Sequence, residues 1–153
     1  CIIEQLDLAL QQRRDRRQAA AGELCVLLLD LDHFKRVNDN HGHAVGDRVL
    51  RQFVAVVQTQ KRAQDVFGRL GGEEFLLILQ DADAAAAQQV AERVRQAVED
   101  AVLELTPGKW SRLTVSIGLA QILPSDRSPS DLLERADRAL YQAKHRGRNL
   151  VCA

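Results

Sequence analysis

The stretch Val66-Phe67-Gly68-Arg69-Leu70-Gly71-Gly72-Glu73-Glu74-Phe75-Leu76-Leu77-Ile78-Leu79 reads as two strands, residues 66–70 and 75–79, joined by a tight hairpin at Gly71-Gly72-Glu73-Glu74. Upstream, Leu24-Cys25-Val26-Leu27-Leu28-Leu29 is a continuous apolar run that stops abruptly at Asp30, and its length suits a strand buried on both faces. Downstream, Leu113, Val115, Ile117 and Leu119 alternate with Thr114, Ser116 and Gly118, the clearest strand pattern in the chain. A last short strand is expected around Leu150 and Val151.

Helical spacing fills the intervals. Ile2, Ile3, Leu6, Ala9 and Leu10 open the chain on an amphipathic helix, and Val45, Val49, Phe53, Val56 and Val57 mark a second over residues 44–57. Ala87, Val90, Ala91, Val94 and Val98 stripe a long helix over residues 84–102, and Pro107-Gly108 marks a turn. Ser128-Pro129-Ser130-Asp131 starts a helix that turns Leu132, Leu133, Ala136, Leu140 and Ala143 inward and stops at Gly147. The basic stretch Arg13-Arg14-Asp15-Arg16-Arg17, running into Ala19-Ala20-Ala21-Gly22, reads as a solvated helix end. The order α, β, α, β-hairpin, α, β, α, β around one sheet is that of a single domain over residues 1–153, α+β or α/β.

Composition narrows the function. The 153 residues are 46% hydrophobic and 27% charged, a globular balance. No window approaches the ~18 apolar residues of a membrane span. Lys and Arg total 21 and Asp and Glu total 21, which argues against a nucleic-acid or anionic-membrane binder. Cys1, Cys25 and Cys152 form no CxxC, so neither zinc nor a disulfide framework is signalled, and a reducing cytosol is the natural compartment. Cys25 lies in the apolar run and reads as core packing. With no methionine and Cys1 first, the chain reads as a fragment of a longer protein.

Two acidic clusters occupy awkward places. Asp30 and Asp32 end the most apolar strand, where a charge is costly unless paired or bound to a cation. Glu73 and Glu74 follow a Gly-Gly turn, where backbone can approach a ligand closely. If hairpin and strand are neighbours, Asp30 and Glu73 converge, and hard oxygen ligands of that kind suit Mg²⁺ or Mn²⁺ completed by water and phosphates. Between the clusters, residues 30–47 are dense in polar residues and glycine and read as a substrate loop. Lys35 can neutralise a phosphate, and Asn38 with Asp47 can read a purine edge, the carboxylate accepting from guanine N1–H and N2–H₂. His33, His41 and His43 lack a carboxylate or cysteine at zinc spacing, so zinc is disfavoured.

These residues carry a resemblance. Arg69-Leu70-Gly71-Gly72-Glu73-Glu74-Phe75 resembles the signature of the GGDEF family, the diguanylate cyclases, in its GGEEF form. Asp30-Leu31-Asp32-His33-Phe34-Lys35 is similar to the family's DxDxFK stretch, and residues 38–47 to its N-D-x-x-G-H-x-x-G-D. Thr114-Val115-Ser116-Ile117-Gly118 matches TVSIG, and residues 136–149 resemble the closing ADxALYxAKxxGRN. Leu70 stands where a tyrosine is common, Glu73 where aspartate is commoner, and the opening DxLTxLxNR is absent.

The resemblance implies an α+β fold, an α/β sandwich like the nucleotide cyclase and polymerase palm. Its central, mainly antiparallel sheet of about five strands is surrounded by helices, with a β-hairpin carrying the GGEEF turn. It implies that Asp30, the Leu31 carbonyl and Glu73 hold Mg²⁺ or Mn²⁺, two ions per half-site, and that Asp30, Glu73 and Glu74 are catalytic. Asn38 and Asp47 would recognise guanine. Phe34, Lys35, Lys144 and Arg148 would bind the triphosphate, with Gly71 and Gly72 lining the substrate. The implied reaction is nucleotidyl transfer in bacterial signalling: two GTP become the second messenger cyclic di-GMP across a homodimer, under an upstream sensory or receiver domain. The implied location is cytoplasmic, with membrane tethering possible through upstream segments.

Arg62-Ala63-Gln64-Asp65 resembles the family's RxxD inhibitory site, with Arg93 as a third contact to cyclic di-GMP. Alone, that string favours a surface Arg–Asp pair worth under ~1 kcal/mol, and its spacing to Gly71 together with Arg93 turns the reading toward the inhibitory site. Two other readings compete. One is a GTP- or cyclic di-GMP-binding sensor without turnover, disfavoured because Asp30, Gly71, Gly72, Glu73 and Glu74 are all present. The other is an adenine-nucleotide cyclase, disfavoured because Asp47 would face adenine N1, an acceptor.

Overall fold

The computed structural model describes residues 1–15 and 23–153. The elements follow in the order α1 (Ile2–Asp15), β1 (Leu24–Leu31), α2 (Phe34–His41), α3 (His43–Gln58), β2 (Val66–Gly71), β3 (Glu74–Gln80), α4 (Ala84–Asp100), β4 (Leu103–Thr106), β5 (Lys109–Ser111), β6 (Val115–Gln121), α5 (Pro129–His145) and β7 (Val151–Cys152). The expected solvated helix end beyond Asp15 falls on residues 16–22, outside the described residues.

Five strands form one sheet in the order β2-β3-β1-β6-β7. Pairings β1–β3, β1–β6 and β2–β3 are antiparallel, and β6–β7 is parallel. Every residue of β1 is buried because the strand is central and covered on both faces, which its unbroken apolar run anticipates. Pleating sends Cys25, Leu27, Leu29 and Leu31 to a core shared with α2, α3 and α4. Leu24, Val26 and Leu28 face α1 and α5 on the other side. Burying each such Leu stabilises by about 1.5–3 kcal/mol. Cys25 belongs to the core: its thiol meets the Ala82 carbonyl, and burial pushes its pKa up to about 11.

Three contacts carry the core's order to the sheet end where the acidic clusters lie. Phe53 of α3, Phe67 of β2 and Phe75 of β3 form a ring cluster with centroids 5.1–6.4 Å apart, clamping α3 against the hairpin. Gly118 lets α5 lie directly on β6, since a Cβ there would stand 2.1 Å from the Ala136 carbonyl oxygen and 2.4 Å from the Leu140 nitrogen. At the other end of α5, the Asp131 carboxylate accepts from the Arg127 and Ser128 amides, the capping expected from that sequence.

The structure corrects the sequence reading in three places. Residues 34–41 are a helix rather than part of a substrate loop, and Gly42 at φ +87° separates it from α3. Phe34 and Val37 give this short, polar helix its only buried face, too little periodicity to read among so many charged neighbours. Second, Pro107-Gly108 turns a ribbon, β4 with β5, that the expected element order omits. Its strands are shorter than the usual strand, with only Leu103 and Leu105 inward. Third, α4 ends at Asp100: Ala101 is extended and Val102 is 49% exposed, so the apolar stripe does not reach residue 102.

Candidate active site

The end of β1 meets the turn of the β2–β3 hairpin. Asp30 stands opposite Glu74 in register, and the Leu31 amide donates to the Glu73 carbonyl at 3.4 Å. The turn is shaped by Gly72 at φ +53° and a register shift between Arg69 and Gly71, and Arg69 Nε donates to the Gly72 carbonyl at 2.8 Å. Sequence reasoning gave Arg69 no such role.

Asp30 is only 5% exposed, and Lys144 Nζ donates to its Oδ2. Burial holds the Asp30 carboxyl above its ordinary range, the Lys144 ammonium works against that, and the charges of Glu73 and Glu74 reinforce it. A cleft of about 280 Å³ opens here, walled by residues 30–36 with Glu73, Lys144 and Arg148. Acidic groups at its floor and four cations at its walls, Lys35, Arg36, Lys144 and Arg148, make a site for an anion bridged by a cation. The side chains of Lys35 and Arg148 are exposed.

Of the residues singled out from sequence, Asp30, Leu31, Phe34, Lys35, Glu73, Lys144 and Arg148 share this cleft. Glu74 is half-buried beside it, and Gly71 and Gly72 are exposed at the turn. Asn38 and Asp47 are not among its walls. Asp47 borders a second cleft of about 530 Å³ between α3 and β2, floored by Leu50, Val54, Phe67 and Phe75. Asn38 Oδ1 is buried without a hydrogen-bond partner, against Gly46, where a Cβ would stand 1.9 Å away. An orphaned buried amide oxygen costs about 1–3 kcal/mol, a cost associated with ligand sites.

Arg62, Asp65 and Arg93 lie apart from both clefts, around the turn after α3. Arg62 donates from Nε and Nη2 to Asp65, at 3.3 and 3.1 Å, and from Nη2 to the Gln80 carbonyl at 2.7 Å. Arg93 Nη2 donates to the Gln60 carbonyl at 2.6 Å. Asp65 is 2% exposed while Arg62 keeps 40% of its side-chain surface in solvent, so the pair joins an enclosed carboxylate to a surface guanidinium.

Among the described residues, no three His, Cys, Asp or Glu side chains gather as a metal cluster. The donors that Asp30 and Glu73 can give are hard oxygens on one wall, which fits an ion that takes the rest of its shell from water and phosphate.

Comparison with known proteins places the chain. Residues 2–150 match the family described as "Diguanylate cyclase, GGDEF domain", and the chain belongs to that family. It is 41% identical over 128 residues to Diguanylate cyclase A of Treponema denticola, covering 84% of this chain and 34% of that protein. It is 40% identical over 138 residues to Response regulator PleD of Caulobacter vibrioides, covering 89% of this chain and 30% of the relative. The chain thus spans about a third of the length of the curated relatives it matches. The GGDEF domain of DgcB from Caulobacter crescentus, solved in complex with c-di-GMP, superposes with a TM-score of 0.89 at 34% identity, covering 98% of this chain and 86% of that one. The five-stranded sheet and its helices are therefore the family's fold. No helix among the described residues is long and apolar enough to cross a membrane.

Proposed function

We propose that this domain is a diguanylate cyclase that condenses two GTP into cyclic di-GMP and two pyrophosphates. The observation that carries the reading is the meeting of Asp30, Leu31 and Glu73 with Lys35, Lys144 and Arg148 around one cleft at the end of β1. Asp30, the Leu31 carbonyl and Glu73 would hold Mg²⁺ or Mn²⁺, two ions per half-site, which when bound polarise phosphate oxygens and lower the pKa of the attacking hydroxyl. Lys35, Lys144 and Arg148 offset the triphosphate's charge and orient its pyrophosphate as the leaving group. Phe34 anchors the start of α2 to the core and so fixes where Lys35 stands. Asp47 accepts from guanine N1–H and N2–H₂, and Asn38 completes the base's edge.

In each of the two transfers a 3′-oxygen forms the new bond to the α-phosphorus and the bond to pyrophosphate breaks. The hydroxyl proton leaves beside Glu73 and Glu74. One cleft holds one substrate, so the second GTP comes on a second copy of this domain, and orientation across the homodimer supplies much of the rate. Cyclic di-GMP is also the inhibitor, held at Arg62, Asp65 and Arg93. The domain works in the cytoplasm under an upstream sensory or receiver domain, a reading supported by the greater length of the relatives and by the name of PleD. Incubation with GTP and Mg²⁺ followed by nucleotide chromatography tests the proposal. Cyclic di-GMP and pyrophosphate are the expected products, and GTP left intact by purified, folded protein would overturn it.

A further inference from the structure

Asp32 lies two residues beyond the proposed metal ligand Asp30, on the wall of the same cleft, and its carboxylate is engaged within the fold. It is 4% exposed, and its carboxylate accepts three hydrogen bonds from two distant segments. Thr114 Oγ1 donates to Oδ2 at 2.7 Å, Ser116 Oγ to Oδ1 at 2.7 Å, and the Asn149 backbone amide to Oδ2 at 3.0 Å. The Asp32 amide in turn donates to the Thr114 carbonyl at 2.9 Å. With both oxygens occupied, Asp32 has little left to offer a metal.

The segment it grips is unusual. Gly147, Arg148 and Asn149 follow one another at φ +120°, +65° and +50°. For two non-glycine residues in succession the left-handed conformation is unfavourable, less so for Asn, and it persists where the surroundings impose it. Asn149 is held from both sides: its amide by Asp32, and its Oδ1 by Arg95 Nη1 of α4 at 2.9 Å. The Arg148 amide donates to Ala143 at 3.0 Å, and the Leu150 carbonyl accepts from Ile117 at 2.9 Å. The backbone is thus held at Arg148, Asn149 and Leu150, while the Arg148 side chain stays exposed on the wall of the Asp30 cleft.

We propose that Asp32 is a positioning residue: by clamping the Asn149 amide to β1 and β6 it fixes the strained turn that aims Arg148 at the phosphates of the bound nucleotide. The proposal rests on the reading of this cleft as a GTP site. It explains why a second aspartate stands at the end of the strand although its carboxylate is taken up by Thr114, Ser116 and Asn149. A flexible arginine would lose side-chain and backbone freedom on meeting a phosphate, and a turn already frozen removes the backbone part of that loss.

The test uses 3′-deoxy-GTP, which lacks the attacking hydroxyl and cannot condense, against 3′-deoxyguanosine, which lacks the phosphates. Calorimetry on the wild type, Asp32→Ala, Arg148→Ala and the double variant gives the affinities, and amide hydrogen exchange follows Asn149. The expected results are about tenfold weaker 3′-deoxy-GTP binding in each single variant and no further loss in the double. Binding of 3′-deoxyguanosine should be unchanged throughout, and Asn149 exchange should be faster in Asp32→Ala. Asp32→Asn, which keeps the size and one acceptor, should show a smaller loss of the same kind and serves if the alanine variant does not fold. Multiplicative losses in the double variant, or Asp32 variants that weaken the nucleoside equally, would overturn the positioning role alone. If Arg148→Ala binds 3′-deoxy-GTP as wild type does, the phosphate-site reading of Arg148 falls and the proposal falls with it, whatever the exchange of Asn149.

Discussion

The cleft at the end of β1 and the turn after α3 are built from the same residue types and sit in opposite states. In the cleft, charges are only partly matched: Asp30 is buried with its carboxyl above the usual range and, among the described residues, Lys144 its one cationic partner, Glu73 and Glu74 add like charge, and Lys35 and Arg148 project into solvent. Close by, Asn38 holds a buried oxygen with no partner. In the turn, Asp65 is fully enclosed, Arg62 satisfies it twice and caps Gln80, and Arg93 caps Gln60. A ligand in the cleft has the contact of Lys144 with Asp30 to loosen, whereas a ligand at the turn has to replace several contacts already made. The difference separates residues kept for function at some cost in stability from residues that hold the fold as well.

The largest effect is expected at Glu73. Glu73→Gln removes a charge from a half-buried side chain at the hairpin turn without changing its size, so the thermal midpoint should hold while turnover falls about 10²-fold or more, as for loss of a transition-state ligand. Rates near wild type at saturating Mg²⁺ would break the assignment. Next comes Asp47→Ala, which leaves the donors of a bound guanine unpaired at about 1–3 kcal/mol, so the KM for GTP should rise about tenfold to a hundredfold. An unchanged KM with unchanged discrimination against ATP would contradict the base-reading role.

Arg62→Ala sharpens the contrast from the other side. It leaves the enclosed Asp65 carboxylate and the Gln80 carbonyl short of donors, so chemical denaturation should show a loss of about 1–3 kcal/mol. Calorimetry should show weakened cyclic di-GMP binding in the same variant. Full stability with weakened product binding would mean the turn is as spare as the cleft.

The smallest effect is a pH dependence. Because the folded Asp30 carboxyl titrates above the ordinary 3.8 of an aspartate, the folded chain binds more protons than the unfolded one just above that pH. The contribution of Asp30 to stability is therefore present at lower pH and is lost as pH rises through its folded pKa. Asp30→Asn should flatten that fall in a series of melting curves taken without metal, and an unchanged slope would show that Asp30 is not the group responsible.

Much of this was legible in the chain itself. The run of residues 24–29 announces a doubly covered strand because nothing else explains six apolar residues ended by an aspartate, and Gly71-Gly72 announces its hairpin. The convergence of Asp30 with Glu73 follows once those strands are neighbours. The α2 helix was hidden because two apolar residues in eight carry no visible period, and the β4–β5 ribbon because its strands are so short. Asp32 was visible as an awkward charge, but its partners Thr114, Ser116 and Asn149 lie more than eighty residues away, and only the folded sheet brings them together. The state of the RxxD turn was hidden for the same reason, since an Arg–Asp string reads alike whether exposed or enclosed.

Asp30 and Glu73 at the end of β1 are proposed to take up a divalent cation together with the nucleotide. Calorimetric titration of 3′-deoxy-GTP into the wild type and Glu73→Gln, each with and without Mg²⁺, tests this uptake most directly. Mg²⁺ should tighten binding to the wild type by about tenfold or more, roughly 1.4 kcal/mol, and have little effect on Glu73→Gln. Equal affinity of the wild type with and without Mg²⁺ would contradict it.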